Sequence, residues 1–232
     1  MKPPNALPKY TQVSEFLIRE IAAGRMIDGE RLPPEREMAQ GLDISVGTLR
    51  KALAVLTEKG LLERVQGSGN YIRHAGDTDS VYAMFRLELP EGGGLPRADI
   101  LSVDRVVKPA DLPRFGTAAD GTRIRRLRYL NAITIAVEEI WLDGDSGHLS
   151  RESITDSLYH SYRTQLGLWI TRAEDRVSIG AVPDWSPADF TLTPGTVTGY
   201  IERLSWAEAA PPVEFSRTWY DTDRALYVQR LK

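Results

Sequence analysis

Apolar positions along the first third of the chain recur at helical spacing. Val13, Phe16, Leu17 and Ile21 form a stripe after Pro8 that ends at Gly24, which predicts a helix over 10–23. Residues 35–40 follow Pro33-Pro34 and predict a short second helix, with Glu35 and Glu37 at the end where the helix dipole favours acids. Leu49, Ala52, Leu53 and Leu56 mark one face of a third helix, with Ser45 at its N-cap position and Gly60 at its stop. The period then changes to two. Residues 61–73 alternate around Gln66-Gly67-Ser68-Gly69-Asn70, a glycine-bearing segment suited to a tight hairpin. Helix, short helix, four-residue turn, helix and hairpin predict a winged helix-turn-helix over residues 1–74.

The remainder mixes both periods. Small polar residues over 75–80 read as a linker, with a second domain over 81–232. Strands are expected over 81–89, 100–107, 123–130, 133–142, 169–179, 198–207, 213–220 and 225–231. A short helical segment is expected over 111–115 and a longer helix over Glu152–Leu166, where Ile154, Leu158, Tyr162 and Leu166 share a face. Short connections favour antiparallel neighbours, so the fold class is α+β: a winged head followed by a mixed domain with a mainly antiparallel sheet.

Composition narrows the chemistry. The chain has 232 residues and a net charge of −3, so a basic coat for packaging nucleic acid is excluded. Positive charge is local: residues 45–74 hold Arg50, Lys51, Lys59, Arg64 and Arg73 against Glu58 and Glu63. Thr48, Arg50 and Lys51 crowd the first two turns of the third helix, where a helix entering the major groove places its reading and phosphate-binding side chains. Cysteine is absent, which removes disulfides and thiolate sites. The three histidines lack ligand spacing, so no metal and no cofactor is expected. No apolar run reaches the length of a membrane span and the N-terminus lacks a signal-peptide core, which reads as cytoplasmic with no membrane partner.

Charged residues also interrupt apolar strands: Arg126 and Arg128, Glu138, and Glu214. Two readings stand for them. They form structural ion pairs or a solvated sheet face, or they line a pocket in which arginines hold an anion and carboxylates accept sugar or amine donors.

Leu32-Pro33-Pro34-Glu35-Arg36-Glu37-Met38-Ala39, Ile44-Ser45 through Thr48-Leu49-Arg50-Lys51-Ala52-Leu53, Gly60-Leu61-Leu62-Glu63-Arg64 and Gln66-Gly67-Ser68-Gly69 together resemble the DNA-binding domain of GntR-type bacterial repressors. The resemblance implies DNA contacts from Arg36, Ser45, Thr48, Arg50, Arg64, Gln66, Gly67, Ser68 and Gly69, with Lys51 added by its place on the helix. Val46 and Gly47 depart from it, standing where many members carry an arginine and a second threonine or proline. Arg126-Leu127-Arg128, Ala136-Val137-Glu138, Ser157-Leu158-Tyr159 and Pro212 to Ser216 with Tyr220 resemble the UTRA effector-binding domain of the HutC subfamily, which is similar in fold to chorismate lyase. By position, this implies effector contacts from Arg126, Arg128, Glu138, Ser157, Glu214 and Tyr220. The expected molecule is a homodimeric regulator, of repressor type, that binds double-stranded operator DNA and a small effector. The alternative is a chorismate-lyase-like enzyme with a DNA-binding head. No acid–base pair or nucleophile stands out, so no catalytic residue is assigned.

Overall fold

A computed structural model describes residues 7–22, 25–73, 84–155, 157–208 and 210–230. The chain divides into two compact units, one over Leu7–Phe85 and the other over Arg86–Val228. The expected linker at 75–80 lies outside the described residues.

In the first unit, α1 (Lys9–Ala22), α2 (Glu35–Gly41) and α3 (Val46–Glu58) precede a hairpin of β1 (Leu62–Val65) and β2 (Gly69–Ile72). The periodic residues are the buried ones: Leu49, Ala52, Leu53 and Leu56 of α3 pack with Val13, Leu17 and Ile21 of α1. Ser45 caps α3, its side chain accepting from the Thr48 N–H at 3.1 Å. Gly60, at φ +71°, turns the chain out of the helix while the Leu61 N–H returns to the Leu56 carbonyl. α2 has no side-chain cap, because Pro34 stands at its N-cap. The hairpin gains a third partner. Arg31 bridges to Tyr71, and Leu32 N–H donates to the Asn70 carbonyl, so the loop before α2 lies along β2.

The second unit is built on one six-stranded antiparallel sheet. Its strands are β4 (Pro96–Val107), β5 (Asp120–Leu130), β6 (Ile133–Asp143), β7 (Arg172–Ala181), β8 (Val197–Trp206) and β9 (Glu214–Tyr220), in spatial order β4-β5-β6-β9-β8-β7. A separate pair joins β3 (Leu87–Glu88) to β10 (Leu226–Tyr227). Asn131 turns β5 into β6 at φ +55°, and its side-chain oxygen accepts from the Leu95 N–H. One face of the sheet packs Leu127, Val137 and Trp219 against Val182 and Phe190, while at the far end Trp141 and Phe215 meet Phe115.

Two expected elements differ. Over 152–166 there is no long helix: a 3-10 turn at Arg151–Ser153 gives way to extended backbone at Ile154, then comes α4 (Leu158–Ser161) and a π-type turn to Leu166. Side chains divert the backbone, since Ser157 accepts from the His160 N–H, Thr155 N–H donates to Ser161 Oγ and Thr155 Oγ1 donates to the Ser157 carbonyl. Ile154, Leu158 and Tyr162 are still buried, so their spacing reported burial and not a continuous helix. Residues 111–115 form a turn instead of a helix, and Pro113 within it supplies no N–H.

Candidate functional site

The first site is the outer face of α3 with the wing. Because the apolar stripe of α3 points inward, Arg50 and Lys51 are exposed and Thr48 is partly so. Ser45 Oγ and Thr48 Oγ1 lie 2.9 Å apart, which holds both hydroxyls at the opening of the helix. Arg36 is exposed on α2, and Arg64, Gln66 and Gly67 are exposed along the wing, with Ser68 and Gly69 partly covered. Ser68 Oγ bonds the Tyr71 hydroxyl at 2.6 Å. Arg31, Glu35, Arg64, Gln66 and Gly69 border one groove of about 680 Å³ between α2 and the wing.

Glycine is required at the wing tip. Gly67 sits at φ +76° and Gly69 at φ +131°, and a Cβ on Gly69 would stand 3.1 Å from Arg31 Nε. All ten residues expected at DNA therefore belong to one continuous unit, within which backbone N–H groups and cations are available for phosphates. Sequence reasoning missed Arg31 and Glu35. The signal for Glu35 was its place directly before Arg36, but its partner, Arg50 Nε at 2.6 Å, lies fifteen residues away on another helix.

The second site is a buried polar cluster on the other face of the sheet. Register brings it together: Arg126 pairs with Glu138, Glu138 with Thr218, and Arg128 with Ala136, which in turn pairs with Tyr220. Alternation then places Arg126, Arg128, Glu138, Glu214 and Tyr220 on one face. All five are buried, the two arginines at 5% and 3% exposure. Arg126 donates from Nε (3.1 Å) and Nη2 (2.7 Å) to Glu138 Oε2, and Arg128 Nη1 stands 3.8 Å from the same oxygen. Two guanidinium groups thus share one carboxylate. Arg126 Nη1 is buried with no hydrogen-bond partner among the described residues.

Burial pushes the Glu138 carboxyl up, but the charges of Arg128 and then Arg126 outweigh it and hold the group below its usual range. Glu214 behaves in the opposite way: burial raises it, although Tyr162 (2.6 Å), Tyr159 (3.1 Å) and Ser205 (2.8 Å) all donate to it. Burial likewise raises the hydroxyls of Tyr162 and Tyr220, so both remain donors at neutral pH. Ser157 is buried, but its hydroxyl caps α4; it is α4's Tyr159, with Tyr162 of the following turn, that reaches the sheet. Sequence reasoning also missed Arg203, which grips Asp175 of β7 through Nε and Nη2 at 2.5 and 2.6 Å. Arg126 Nη1, buried beside Arg128 and without a hydrogen-bond partner among the described residues, is a donor open to an acceptor group.

Among the described residues no group of three or more His, Asp or Glu is placed to hold a metal, and no helix is long and apolar enough to cross a membrane.

Residues 9–72 match the family model described as bacterial regulatory proteins, gntR family, and residues 91–225 match that of the UTRA domain. The chain is 56% identical over 228 residues to the HTH-type transcriptional regulator SmoD of Agrobacterium fabrum, spanning 98% of this chain and 97% of that protein. It is 24% identical to the HTH-type transcriptional repressor NagR of Bacillus subtilis, over 96% of this chain and 94% of that one. The crystal structure of PhnF from Mycobacterium smegmatis has a similar fold, with a TM-score of 0.53 at 20% identity, covering 95% of this chain and 99% of that one.

Proposed function

Since the chain belongs to the gntR family of bacterial regulatory proteins and carries a UTRA domain, a family of transcriptional regulators and not of enzymes, we propose that it is a cytoplasmic repressor whose hold on operator DNA is set by a small anionic metabolite. In this reading two copies bind a palindromic site, since two-fold symmetry in the protein is matched by two-fold symmetry in the DNA. Arg50, Thr48 and Ser45 meet base edges, while Arg36, Lys51, Arg64 and the Gln66–Gly69 wing meet phosphates and fix the register.

The observation that carries the effector half is Arg126 Nη1, buried and unpartnered beside a second arginine with a single carboxylate between them. A carboxylate, phosphate or sulfonate seated there satisfies that donor with a charge-assisted hydrogen bond. Glu138, Glu214 and Tyr220 then face the neutral, hydroxyl-bearing part of the ligand, with Ser157 holding α4 over them. Release from DNA requires the metabolite to favour the conformation that fits DNA poorly, because equal affinity for both would shift nothing.

The test is operator binding by fluorescence anisotropy against a series of sugar phosphates, sugar acids and small dicarboxylates, using wild type and Arg126→Met/Arg128→Met. We expect at least one anion to weaken wild-type binding by tenfold or more and to leave the variant unmoved. A variant that responds like wild type contradicts the assignment of the cluster.

A further inference from the structure

Arg50, the arginine of α3, is not free to swing. Arg50 Nε donates to Glu35 Oε2 at 2.6 Å, with the Arg50 side chain 63% exposed and Glu35 only 20%. Glu35 is itself well anchored, because it opens α2 directly after Pro34 at φ −52° and ψ 137°, a backbone that proline holds. Stability does not account for the contact, since an ion pair this exposed contributes little. DNA affinity does not account for it either. A carboxylate on a phosphate-binding surface repels the backbone, and Arg36, Lys51 and Arg64 supply exposed cations with no ion pair among the described residues.

We propose that Glu35 is a positioning residue that sets sequence specificity by fixing the guanidinium of Arg50. The contact occupies Nε and leaves the Nη1/Nη2 edge for the base. That edge matches guanine O6 and N7 in the major groove, a pairing that depends on the plane of the guanidinium. Holding the plane before DNA arrives reduces the ordering cost of the specific contact alone, whereas the negative charge opposes binding to every sequence equally. Glu35 thus lowers non-specific affinity and raises discrimination. This rests on the reading of the first unit as a sequence-specific DNA binder.

The experiment uses the full chain and duplexes that wild type enriches from a random-sequence library. Each single-base change in the enriched site, and a scrambled duplex, is measured by competition anisotropy for wild type, Glu35→Gln, Glu35→Ala and Arg50→Ala. Glu35→Ala is expected to lose about tenfold discrimination at one guanine in each half-site, while its affinity for scrambled DNA stays level or rises. Glu35→Gln keeps an acceptor oxygen for Nε and retains most of the discrimination. In the Arg50→Ala background, Glu35→Ala changes discrimination nowhere. Equal loss on selected and scrambled DNA would mean a merely structural role; tighter binding to both with discrimination intact would mean simple repulsion. Either result overturns the proposal. If Glu35→Ala fails to fold by circular dichroism, Glu35→Ser, whose hydroxyl is too short to reach Arg50 Nε, must lose the same guanine. Failure of wild type to enrich any sequence would sink the regulator reading together with the inference, whereas enrichment with uniform loss sinks the inference alone.

Discussion

Replacing Glu138 by alanine removes the carboxylate that faces both Arg126 and Arg128. The side chains involved are nearly dry, with 6% exposure at Arg126, 4% at Arg128 and 12% at Glu138. The variant loses two charge-assisted hydrogen bonds, of 2.7 and 3.1 Å, and leaves two buried guanidinium groups on adjacent positions of one face. Breaking a buried pair from one side costs about 3–5 kcal/mol, because the partner's charge is left uncompensated. Set against a domain stability of about 5–15 kcal/mol, the loss is large. Urea unfolding followed by tryptophan fluorescence reads the right unit, since Trp141, Trp169, Trp185, Trp206 and Trp219 all lie in the second one. The same reasoning predicts partial recovery in sulfate or phosphate beyond that of wild type, because an anion seated between the arginines binds only the folded state. A loss below about 1 kcal/mol, the range of an ordinary surface substitution, with no anion-dependent recovery would refute the argument that Glu138 holds the buried arginines in place.

Other consequences can be checked on the same protein. Gly199→Ala places a Cβ 2.3 Å from Cζ of the Tyr220 ring, so the ring must shift; the variant is expected to melt lower by about 1–3 kcal/mol equivalent, and an unchanged melting temperature would contradict the packing. Leu56→Ala empties a fully buried position of α3 and should cost the first unit about 2–5 kcal/mol, read as an earlier loss of helical circular dichroism. For pH, Glu138, Asp143 and Asp175 all sit below their usual range: burial raises each, but Arg128 and Arg126, Lys108, and Arg203 respectively outweigh it. Depressed carboxylates stabilise the fold above their unfolded pKa of about 4 and lose that contribution as pH falls through the folded value. Stability should therefore decline as pH is lowered from about 4.5; stability that rises on acidification through that window would show the opposite sign, as Glu214 alone would give.

The winged head was legible because its determinants are local. Leu49, Ala52, Leu53 and Leu56 announce a buried stripe by spacing, Ser45 and Gly60 bracket the helix, and Gly67 and Gly69 take positive φ where the hairpin needs it. The buried polar cluster was legible only in part. Charges at 126, 128, 138 and 214 were visible inside apolar strands, yet their meeting depends on β9 inserting beside β6, a pairing between residues some eighty positions apart. Arg203, Tyr159 and Tyr162 gave no local sign of belonging to the same face. Their partners, Asp175 and Glu214, come from other strands of the sheet. The stretch 152–166 misled because its periodicity records which side chains are buried, while Ser157, Thr155 and Ser161 spend their hydroxyls on backbone that a helix would have paired.

The central claim is that α3 and the wing read DNA sequence. It is tested most directly by anisotropy of DNA from the gene's own upstream region and of duplexes enriched from a random library. Wild type and Arg50→Ala are compared under random-DNA competitor at several salt concentrations. The account predicts tight wild-type binding that survives competitor and weakens with salt, and about tenfold or greater loss in Arg50→Ala on the preferred sequence with little change on random DNA. Wild-type binding that is weak and equal on all of these duplexes, or an Arg50→Ala variant that keeps full preference, would contradict it.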